Sequence, residues 1–218
     1  MTAARLLTIP ESRRSVYAET PEALTNIYEN DIGMSVWQRR LNHSLIAECE
    51  KLVAGTGFSG YRIALSASKL KHPEDAFPQL MDFPHLRADI QLLAEMFCCL
   101  FELQTVGLRL APLTTAMCPK FHVDRVPCRL ITSYYGGGTQ WLPHHLVNRD
   151  KLGAGSGGLS DTESGLYTSA DAIQTLATGD VALLKGELWE DNEGAGLVHR
   201  SPFIETGQTR VLLTLDFA

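Results

Sequence analysis

Residues 121–125 read Phe-His-Val-Asp-Arg, and this stretch, with a histidine far downstream at position 199, decides the fold that we predict. On an extended backbone the side chains of His122 and Asp124 point to the same face, because successive side chains of a strand alternate. An imidazole and a carboxylate then converge on one point. With His199 as a third ligand they would form the two-histidine, one-carboxylate triad that is typical of non-haem Fe(II) and leaves metal positions open.

Two further features of the sequence follow the order of such a site. Gly179 and Asp180 favour a turn before the apolar strand of residues 181–185. In cupin-like and oxygenase barrels a Gly-Asp turn commonly precedes the strand that carries the last metal-binding histidine. Arg210 opens the apolar run of residues 211–215, where a cation could receive the carboxylate of a bound acid, or form an ion pair at a strand end. Candidates for the wall of the same cavity, or for ordinary core and rim packing, are Arg125, Arg129, Trp141 and Arg200.

Cysteines on either side of the His-x-Asp pair leave a second kind of site open. Cys118 and Cys128 stand four residues from His122 and Asp124, respectively. A thiolate joined to His122 and His199 would favour zinc, which binds sulfur and nitrogen in a closed tetrahedron when its role is structural. The spacing matches no strong zinc-finger pattern, and cysteines in such positions are more often core residues, with zinc as the alternative. Short His-x-Asp matches also arise by chance, so a hydrogen-bonded loop residue beside a turn carboxylate is the alternative to a metal site.

The composition of the chain is that of an ordinary globular protein. Its 218 residues are 44% hydrophobic and 20% charged, with a formal net charge of −6. The sequence contains no basic cluster, which argues against nucleic acid or an anionic membrane as the main partner. Residues 1–10 lack the features of a signal peptide, and the apolar run of residues 90–101 is too short to span a bilayer. Five cysteines without framework spacing fit reduced thiols, so we expect a cytoplasmic protein.

Hydrophobic periodicity changes from a helical to a strand pattern near residue 105. The N-terminal half predicts a helix that begins at Thr20 and ends at Gly33, a second that begins at Ser35 or Asn42 and ends near residue 53, and a long third at residues 86–103. Short runs with β propensity between turn residues predict strands. These strands are predicted at residues 61–66, 106–110, 129–135, 180–185 and 210–217.

The order of these elements predicts one structural domain of the α+β class. We expect an N-terminal arm at residues 1–19, a helical part at residues 20–104 and a β part at residues 105–218, whose sheet curls into a sandwich or small barrel around the metal site. The Gly/Ser-rich residues 153–165 are predicted to be a mobile loop between strands rather than a domain linker.

The chain resembles a bacterial family catalogued as domain of unknown function 1826. The resemblance covers residues 20–218 and is strongest from residue 117 onward. The motifs that carry it are residues 118–129, 138–143, 179–186 and 199–202. Members of that family are often encoded near zinc-responsive genes and metal-handling GTPases. The resemblance therefore implies a connection to metal, and metal-handling proteins as candidate partners, but it names no reaction.

The triad with Arg210 is also similar to the pattern of Fe(II)- and 2-oxoglutarate-dependent oxygenases. That resemblance implies a cupin-like double-stranded β-helix, or jelly roll, with the N-terminal helices packed on it. It further implies that His122, Asp124 and His199 hold iron, and that Arg210 binds the far carboxylate of 2-oxoglutarate. We therefore expect a non-haem iron oxygenase that acts on a small molecule or a protein side chain. One alternative is a zinc-binding protein of metal homeostasis without turnover, and another is a structural or partner-binding barrel with a vestigial site.

Overall fold

The computed structural model describes residues 13–55 and 57–218. The strands are β1 Arg14–Ala18, β2 Ile32–Trp37, β3 Tyr61–Ser66, β4 Thr105–Leu113, β5 Cys128–Tyr135, β6 Gln140–Trp141, β7 Gln174–Thr175, β8 Val181–Lys185, β9 His199–Arg200 and β10 Arg210–Phe217. The α-helices are α1 His43–Ala54, α2 Ala67–Leu70, α3 Pro73–Ala76 and α4 Pro84–Leu100. The 3-10 helices are Pro21–Tyr28, Pro78–Leu80, His144–Leu146, Arg149–Lys151, Gly153–Ser156 and Ala170–Ala172. Within the two described ranges, no helix is long and apolar enough to cross a membrane.

Two sheets organise the chain. Seven strands form a large sheet in the order β1-β2-β8-β5-β10-β4-β3, and three short strands form a small sheet in the order β7-β6-β9. An isolated antiparallel bridge between His122 and His199 extends the small sheet beyond β9. From β4 onward the chain passes repeatedly from one sheet to the other. The strands β4, β5, β8 and β10 lie in the large sheet, whereas His122, β6, β7 and β9 belong to the small one.

The large sheet buries apolar side chains on both of its faces. Helix α4 packs on one face through residues at helical spacing, such as Leu86 and Ile90, which share a core with Leu130 of β5. The next residue of β5, Ile131, points the other way and shares a second core with Trp141 of the small sheet. We call this side of the large sheet, which faces the small sheet, the inner face.

Residues 142–173, between β6 and β7, pack against the small sheet. They form a third core together with side chains that precede the triad residues in the sequence, and its buried members are Phe121, Leu142, Leu166, Tyr167, Ala172 and Val198. Asp161 ties the Gly/Ser-rich segment to this layer, because its Oδ2 accepts from the Phe121 N–H and from Nη1 of Arg200, both at 3.0 Å. The mobility of residues 153–165 stays a prediction.

The prediction of a mixed α+β protein is confirmed, but one N-terminal element differs from it. The predicted start after Thr20 is confirmed, but the segment is a 3-10 helix that ends at Tyr28, and the predicted end at Gly33 is wrong because β2 begins at Ile32. This strand forms because it pairs with β8 and buries Met34 and Val36 in the core between the sheets. Its stability therefore depends on a partner far along the chain.

The other predictions for the N-terminal half are confirmed in part. Helix α1 starts after Asn42, whose side chain accepts from the Leu45 N–H at 2.8 Å and caps the first turn. The alternative start at Ser35 is wrong, because that residue lies in β2. The region of residues 20–104 contributes β2 and β3 to the large sheet as well as helices. Of the predicted arm at residues 1–19, the described part includes β1, and residues 1–12 lie outside the described residues.

Candidate metal centre

His122 and His199 lie opposite each other on neighbouring backbone segments. The N–H of His122 donates to the carbonyl of His199 at 3.0 Å, and the N–H of His199 donates back at 2.9 Å. Residues paired in this way project their side chains to the same side of a sheet. The two imidazole rings accordingly lie with their centroids 4.6 Å apart.

Asp124 completes the cluster. Its Oδ1 lies 3.7 Å from Nε2 of His122, and its Oδ2 lies 3.3 Å from Nε2 of His199. One ligand atom from each of the three side chains lies within 4.8 Å of the others, and we call these side chains the triad. The structure thus brings together the three residues singled out from the sequence, although His122 lies on an isolated bridge rather than in a longer strand. The cluster is half-buried, and His199 is only 5% exposed.

Backbone carbonyls set the orientation of both imidazoles. Nδ1 of His122 lies 2.9 Å from the carbonyl oxygen of Lys120, and Nδ1 of His199 lies 3.1 Å from that of Leu197. Since a carbonyl only accepts, Nδ1 is the donor in each ring and carries the proton. Nε2 of a neutral ring then bears a lone pair, and both Nε2 atoms face the Asp124 carboxylate. Three electron-pair donors converge on one volume, and a proton or a cation must lie between them to make the arrangement attractive.

An arginine also binds the triad carboxylate. Nη1 of Arg129 donates to Oδ2 of Asp124 at 2.7 Å. The same guanidinium donates through Nε and Nη2 to the two oxygens of Asp216, at 2.7 and 2.9 Å. Arg129 therefore links the triad to β10, the strand that carries Asp216.

The charge states of the triad suit a cation. Burial opposes ionisation of Asp124, but the hydrogen bond and the positive charge of the His199 ring when it is protonated, and the charge of Arg129, outweigh it and lower the pKa of Asp124 to about 2. Burial, and then the charge of His199, lower the pKa of His122. The carboxylate is ionised and the His122 ring is neutral near pH 7, which are the forms that bind metal.

Arg210 lies at the start of β10 in a second polar group. Its Nε and Nη2 donate to Oγ of Ser133 at 3.1 and 3.0 Å, and Nη2 also donates to Oγ1 of Thr139 at 2.8 Å. The residue is 1% exposed, and among the described residues no carboxylate forms an ion pair with it. Burial lowers the pKa of Arg210 to about 10. Thr139 lies directly before β6, and Trp141 of β6 pairs with His199. The residue that Arg210 contacts is therefore close in sequence to a strand partner of the triad.

Neither predicted cysteine ligand belongs to the triad within the part of the chain that the structure describes. Cys128 is wholly buried in the core beneath the helices, and burial raises the pKa of its thiol. It precedes Arg129 on β5, and alternation directs the two side chains to opposite faces. Because Arg129 contacts Asp124, Cys128 points away from the triad, and its prediction as a ligand is wrong. The half-buried Cys118 also stays outside the triad.

Sequence reasoning did not single out Ser133, Thr139 or Asp216. Because side chains alternate along a strand, Asp216 could have been placed on the same face of β10 as Arg210. Thr139 lies in the loop between β5 and β6, where no hydrophobic period indicates its position. Of the four candidates for the cavity wall, Arg129 contacts the triad, Trp141 belongs to the core between the sheets, Arg200 pairs with Asp161, and Arg125 is exposed.

A family model described as "Protein of unknown function (DUF1826)" matches residues 18–216. The chain belongs to this family. The resemblance to domain of unknown function 1826 that the sequence motifs indicated is thereby confirmed. A comparison of this DUF1826 protein with curated proteins found no match.

Solved structures similar to this DUF1826 protein include a dioxygenase, a protein crystallised with nickel and 2-oxoglutarate, and a hydroxylase. A dioxygenase for auxin oxidation from rice shares 11% identity over 94% of this chain and 82% of its own, with a TM-score of 0.47. HygX from Streptomyces hygroscopicus, crystallised with nickel and 2-oxoglutarate, shares 13% identity over 92% and 88% of the two chains, with a TM-score of 0.43. A Pseudomonas putida prolyl-4-hydroxylase shares 13% identity over 89% and 96%, with a TM-score of 0.40.

Proposed function

We propose that this DUF1826 protein is a mononuclear non-haem metal protein and acts as an Fe(II)- and 2-oxoglutarate-dependent oxygenase. Its ligands would be His122, Asp124 and His199. The observation that carries the proposal is the convergence of two imidazole Nε2 atoms and one carboxylate on a common volume. Each Nδ1–H donates to a backbone carbonyl, and metal-binding histidines almost always donate their other ring N–H to such an acceptor, which fixes the orientation of the ring.

The donor set favours iron over structural zinc. Two imidazoles and one carboxylate leave coordination positions free for other molecules, as non-haem Fe(II) chemistry needs. A structural zinc site instead closes a tetrahedron with four protein ligands that usually include cysteine. Cys128 lies on the opposite face of the large sheet from Arg129 and so cannot reach the triad.

The path of the chain supports an oxygenase-type barrel. From β4 to β10 the chain places four strands in the large sheet and, with the bridge at His122, four short segments in the small one. Two facing layers connected by such alternation form a double-stranded β-helix, or jelly roll. We infer that the N-terminal helices pack on the outside of this barrel. His122 then lies at the edge of the small sheet, where an ion is accessible.

Arg210 supports 2-oxoglutarate as the co-substrate. A buried guanidinium without a carboxylate partner is unfavourable by itself, and an anionic ligand would neutralise its charge. The hydroxyls of Ser133 and Thr139 take the N–H groups of Nε and Nη2 and hold the guanidinium in place, whereas Nη1 donates to no residue that the structure describes and could donate to a carboxylate. Fe(II) with 2-oxoglutarate would supply the oxidation of a substrate by dioxygen, with succinate and carbon dioxide as co-products. The contribution of this chain is to orient the ligands, since Arg129 holds Asp124 and backbone carbonyls hold both rings.

Metal analysis followed by co-substrate turnover tests the proposal. Protein purified without added metal is analysed for iron and zinc, supplied with Fe(II), 2-oxoglutarate and dioxygen, and assayed for succinate. We expect succinate to form slowly without a primary substrate and to disappear in His199→Ala. His85→Ala is the matched control, because His85 pairs with Glu48 at the start of α4 and should leave turnover intact. Tightly held zinc without succinate would instead support a non-catalytic protein of metal homeostasis.

A further inference from the structure

Two arginines lie side by side on the inner face of the large sheet. Arg62 of β3 pairs directly with Arg109 of β4. Leu108 and Leu110 point into the core beneath the helices, so alternation places Arg109 on the inner face. Ile63 packs against the same helical core, which places Arg62 on the inner face as well. We call Arg62 and Arg109 the arginine pair.

The arginine pair is unfavourable as it stands. Like charges directly opposite each other on neighbouring strands destabilise a sheet. Neither guanidinium forms an ion pair with a carboxylate anywhere in residues 13–55 and 57–218. Arg62 alone could be explained as a charge that protects the edge strand β3 against strand addition. Arg109 lies one strand further inside and is half-buried, so that explanation does not cover it.

The arginine pair adjoins the triad through the sheet. Thr214 of β10 pairs with Arg109, and Asp216 lies two residues further along the same face. Asp216 is bound by Arg129, which contacts Asp124. Paired residues are about 5 Å apart and alternate residues of a strand about 7 Å, so the Cα atoms of Arg109 and Asp216 lie about 8 Å apart.

The surface between the arginine pair and Asp216 is open. Ala64 and Gly107 pair with each other, and Gly107 also pairs with Asp216, so only small residues occupy the intervening positions. A cavity of about 280 Å³ lies there, and the residues that line it are 62–64, 107–109 and 216–218. Both oxygens of Asp216 accept from Arg129, so this carboxylate does not neutralise the arginine pair.

We propose that the arginine pair binds the anionic group, a carboxylate or a phosphate, of a small-molecule substrate that reacts at the triad. The reaction part rests on the proposed function, whereas anion binding does not. An anion between the two guanidiniums converts their repulsion into attraction, and it meets planar donors suited to either group. The volume of the cavity suits a small molecule, and the small residues Ala64 and Gly107 leave space between the arginine pair and Asp216.

Titration with inorganic phosphate and with acetate tests anion binding by itself. The side-chain Nε–H signals of arginine are followed in NMR spectra of the full chain, and Arg62→Gln and Arg109→Gln assign them. We expect both anions to shift these two signals, and the double variant to bind phosphate about 10-fold more weakly or worse. Arg87→Gln in α4 is the matched control and should bind as the unchanged protein does. Equal phosphate affinity in the double variant, or no shift of either signal, overturns the proposal.

Thermal unfolding adds a readout that does not depend on signal assignment. Because the substitutions remove a like-charge pair, we expect each single variant to fold and to melt at or above the temperature of the unchanged protein. Phosphate should raise the melting temperature of the unchanged protein and leave that of the double variant almost constant. A similar increase in both proteins would place the phosphate elsewhere and contradict the assignment.

A second experiment asks whether the bound anion belongs to the substrate. Iron-loaded protein with 2-oxoglutarate is offered monocarboxylic acids and the primary amides of the same carbon skeletons, and stimulated succinate formation is measured. We expect acids to stimulate more than amides, and this preference to fall about 10-fold in the double variant but not in Arg87→Gln. Equal stimulation by acid and amide would overturn the claim that the bound anion belongs to the substrate. If the unchanged protein forms no succinate, the proposed function fails, and the phosphate titration still decides the anion site.

Discussion

Arg129 connects Asp124 to the large sheet: one of its nitrogens donates to the Asp124 carboxylate at 2.7 Å while two others hold Asp216. Arg129 and Asp216 are paired in register on β5 and β10, so the position of the guanidinium is set by the sheet. Asp124 lies outside the regular strands. Its orientation as a ligand therefore depends on a tertiary contact rather than on a local motif.

Replacing Arg129 should weaken metal binding more than it weakens the fold. We expect Arg129→Met to lower Co(II) affinity about 10- to 100-fold, because Asp124 loses the donor that orients it. Visible absorption of bound Co(II) measures the affinity and reports a changed ligand geometry. Arg39→Met is the matched control, since Arg39 holds Asp89 in a similar two-point ion pair on the helical side. It should lower the melting temperature and leave Co(II) affinity unchanged; equal losses in both variants would make the role of Arg129 merely structural.

Metal should stabilise the folded protein through the triad. A ligand that binds only the native state raises stability by mass action, so Co(II) at about 100 times its Kd should raise the melting temperature roughly 5–10 °C. His122→Ala and His199→Ala are expected to lose this increase, and a chelator should reverse it in the unchanged protein. Differential scanning calorimetry measures the shift. His85→Ala should respond as the unchanged protein does, and retention of the shift by His199→Ala would refute the ligand assignment.

Arg210 should lower the stability of the free protein and should be needed for the binding of 2-oxoglutarate. Arg210→Met removes a buried cation that lacks a carboxylate partner, so we expect a gain of about 1–2 kcal/mol in the free energy of unfolding, reduced by the unpaired hydroxyls of Ser133 and Thr139. The same variant should lose stabilisation by 2-oxoglutarate. Urea denaturation with and without 2-oxoglutarate measures both effects, and Arg210→Lys keeps the charge without the planar guanidinium. A variant that is less stable yet still stabilised by 2-oxoglutarate would oppose this role.

Because of Lys185, the free energy of unfolding should increase with pH in the alkaline range. The residue is 1% exposed, and its ammonium group donates to the Glu29 carbonyl at 3.0 Å and lies 4.8 Å from the centroid of the Trp189 ring. Burial, and then the charge of Arg13, lower the pKa of Lys185 to about 8 from 10.5. Between these values the unfolded chain binds more protons than the native chain, so the free energy of unfolding increases with pH.

Lys185→Met isolates this contribution. We expect it to be about 1–3 kcal/mol more stable than the unchanged protein near pH 7, with the difference shrinking as pH rises through 8 toward 10.5. Chemical denaturation at several pH values measures the difference, in which tyrosine and cysteine titrations common to both proteins cancel. A difference that is constant with pH would contradict the lowered pKa of Lys185.

Gly186 leaves no room for a side chain beside the loop that carries Asp124. A Cβ there would collide with the carbonyl oxygen of Val126 and lie 2.9 Å from that of Asp124, which also accepts from the Glu187 N–H at 2.9 Å. We expect Gly186→Ala to lower the melting temperature by several degrees and Co(II) affinity about 10-fold, because the loop must shift. Gly57→Ala, where a Cβ meets nothing within 4 Å, is the control for both measurements. Unchanged values in Gly186→Ala would show that the loop adapts.

Elements with many regularly spaced apolar residues could be predicted, and the short ones could not. Helix α4 and strand β10 follow the predicted segments 86–103 and 210–217, because one buried face defines each of them. Strand β2 was missed, since Gly33 near its start resembles a helix stop and its burial depends on pairing with β8. The strands β6, β7 and β9 have two residues each, too few to show a period.

The sequence by itself determined which chemical groups the candidate site contains and in what order: His122 and Asp124, then His199, then Arg210. Only the tertiary structure decided that the two histidines are neighbours, that Arg129 binds Asp124, that Cys128 faces the other core and that Arg62 meets Arg109. The physical reason is strand register. A shift of one residue turns every side chain of a strand to its other face, and that register is set by pairing between segments that are distant in the sequence.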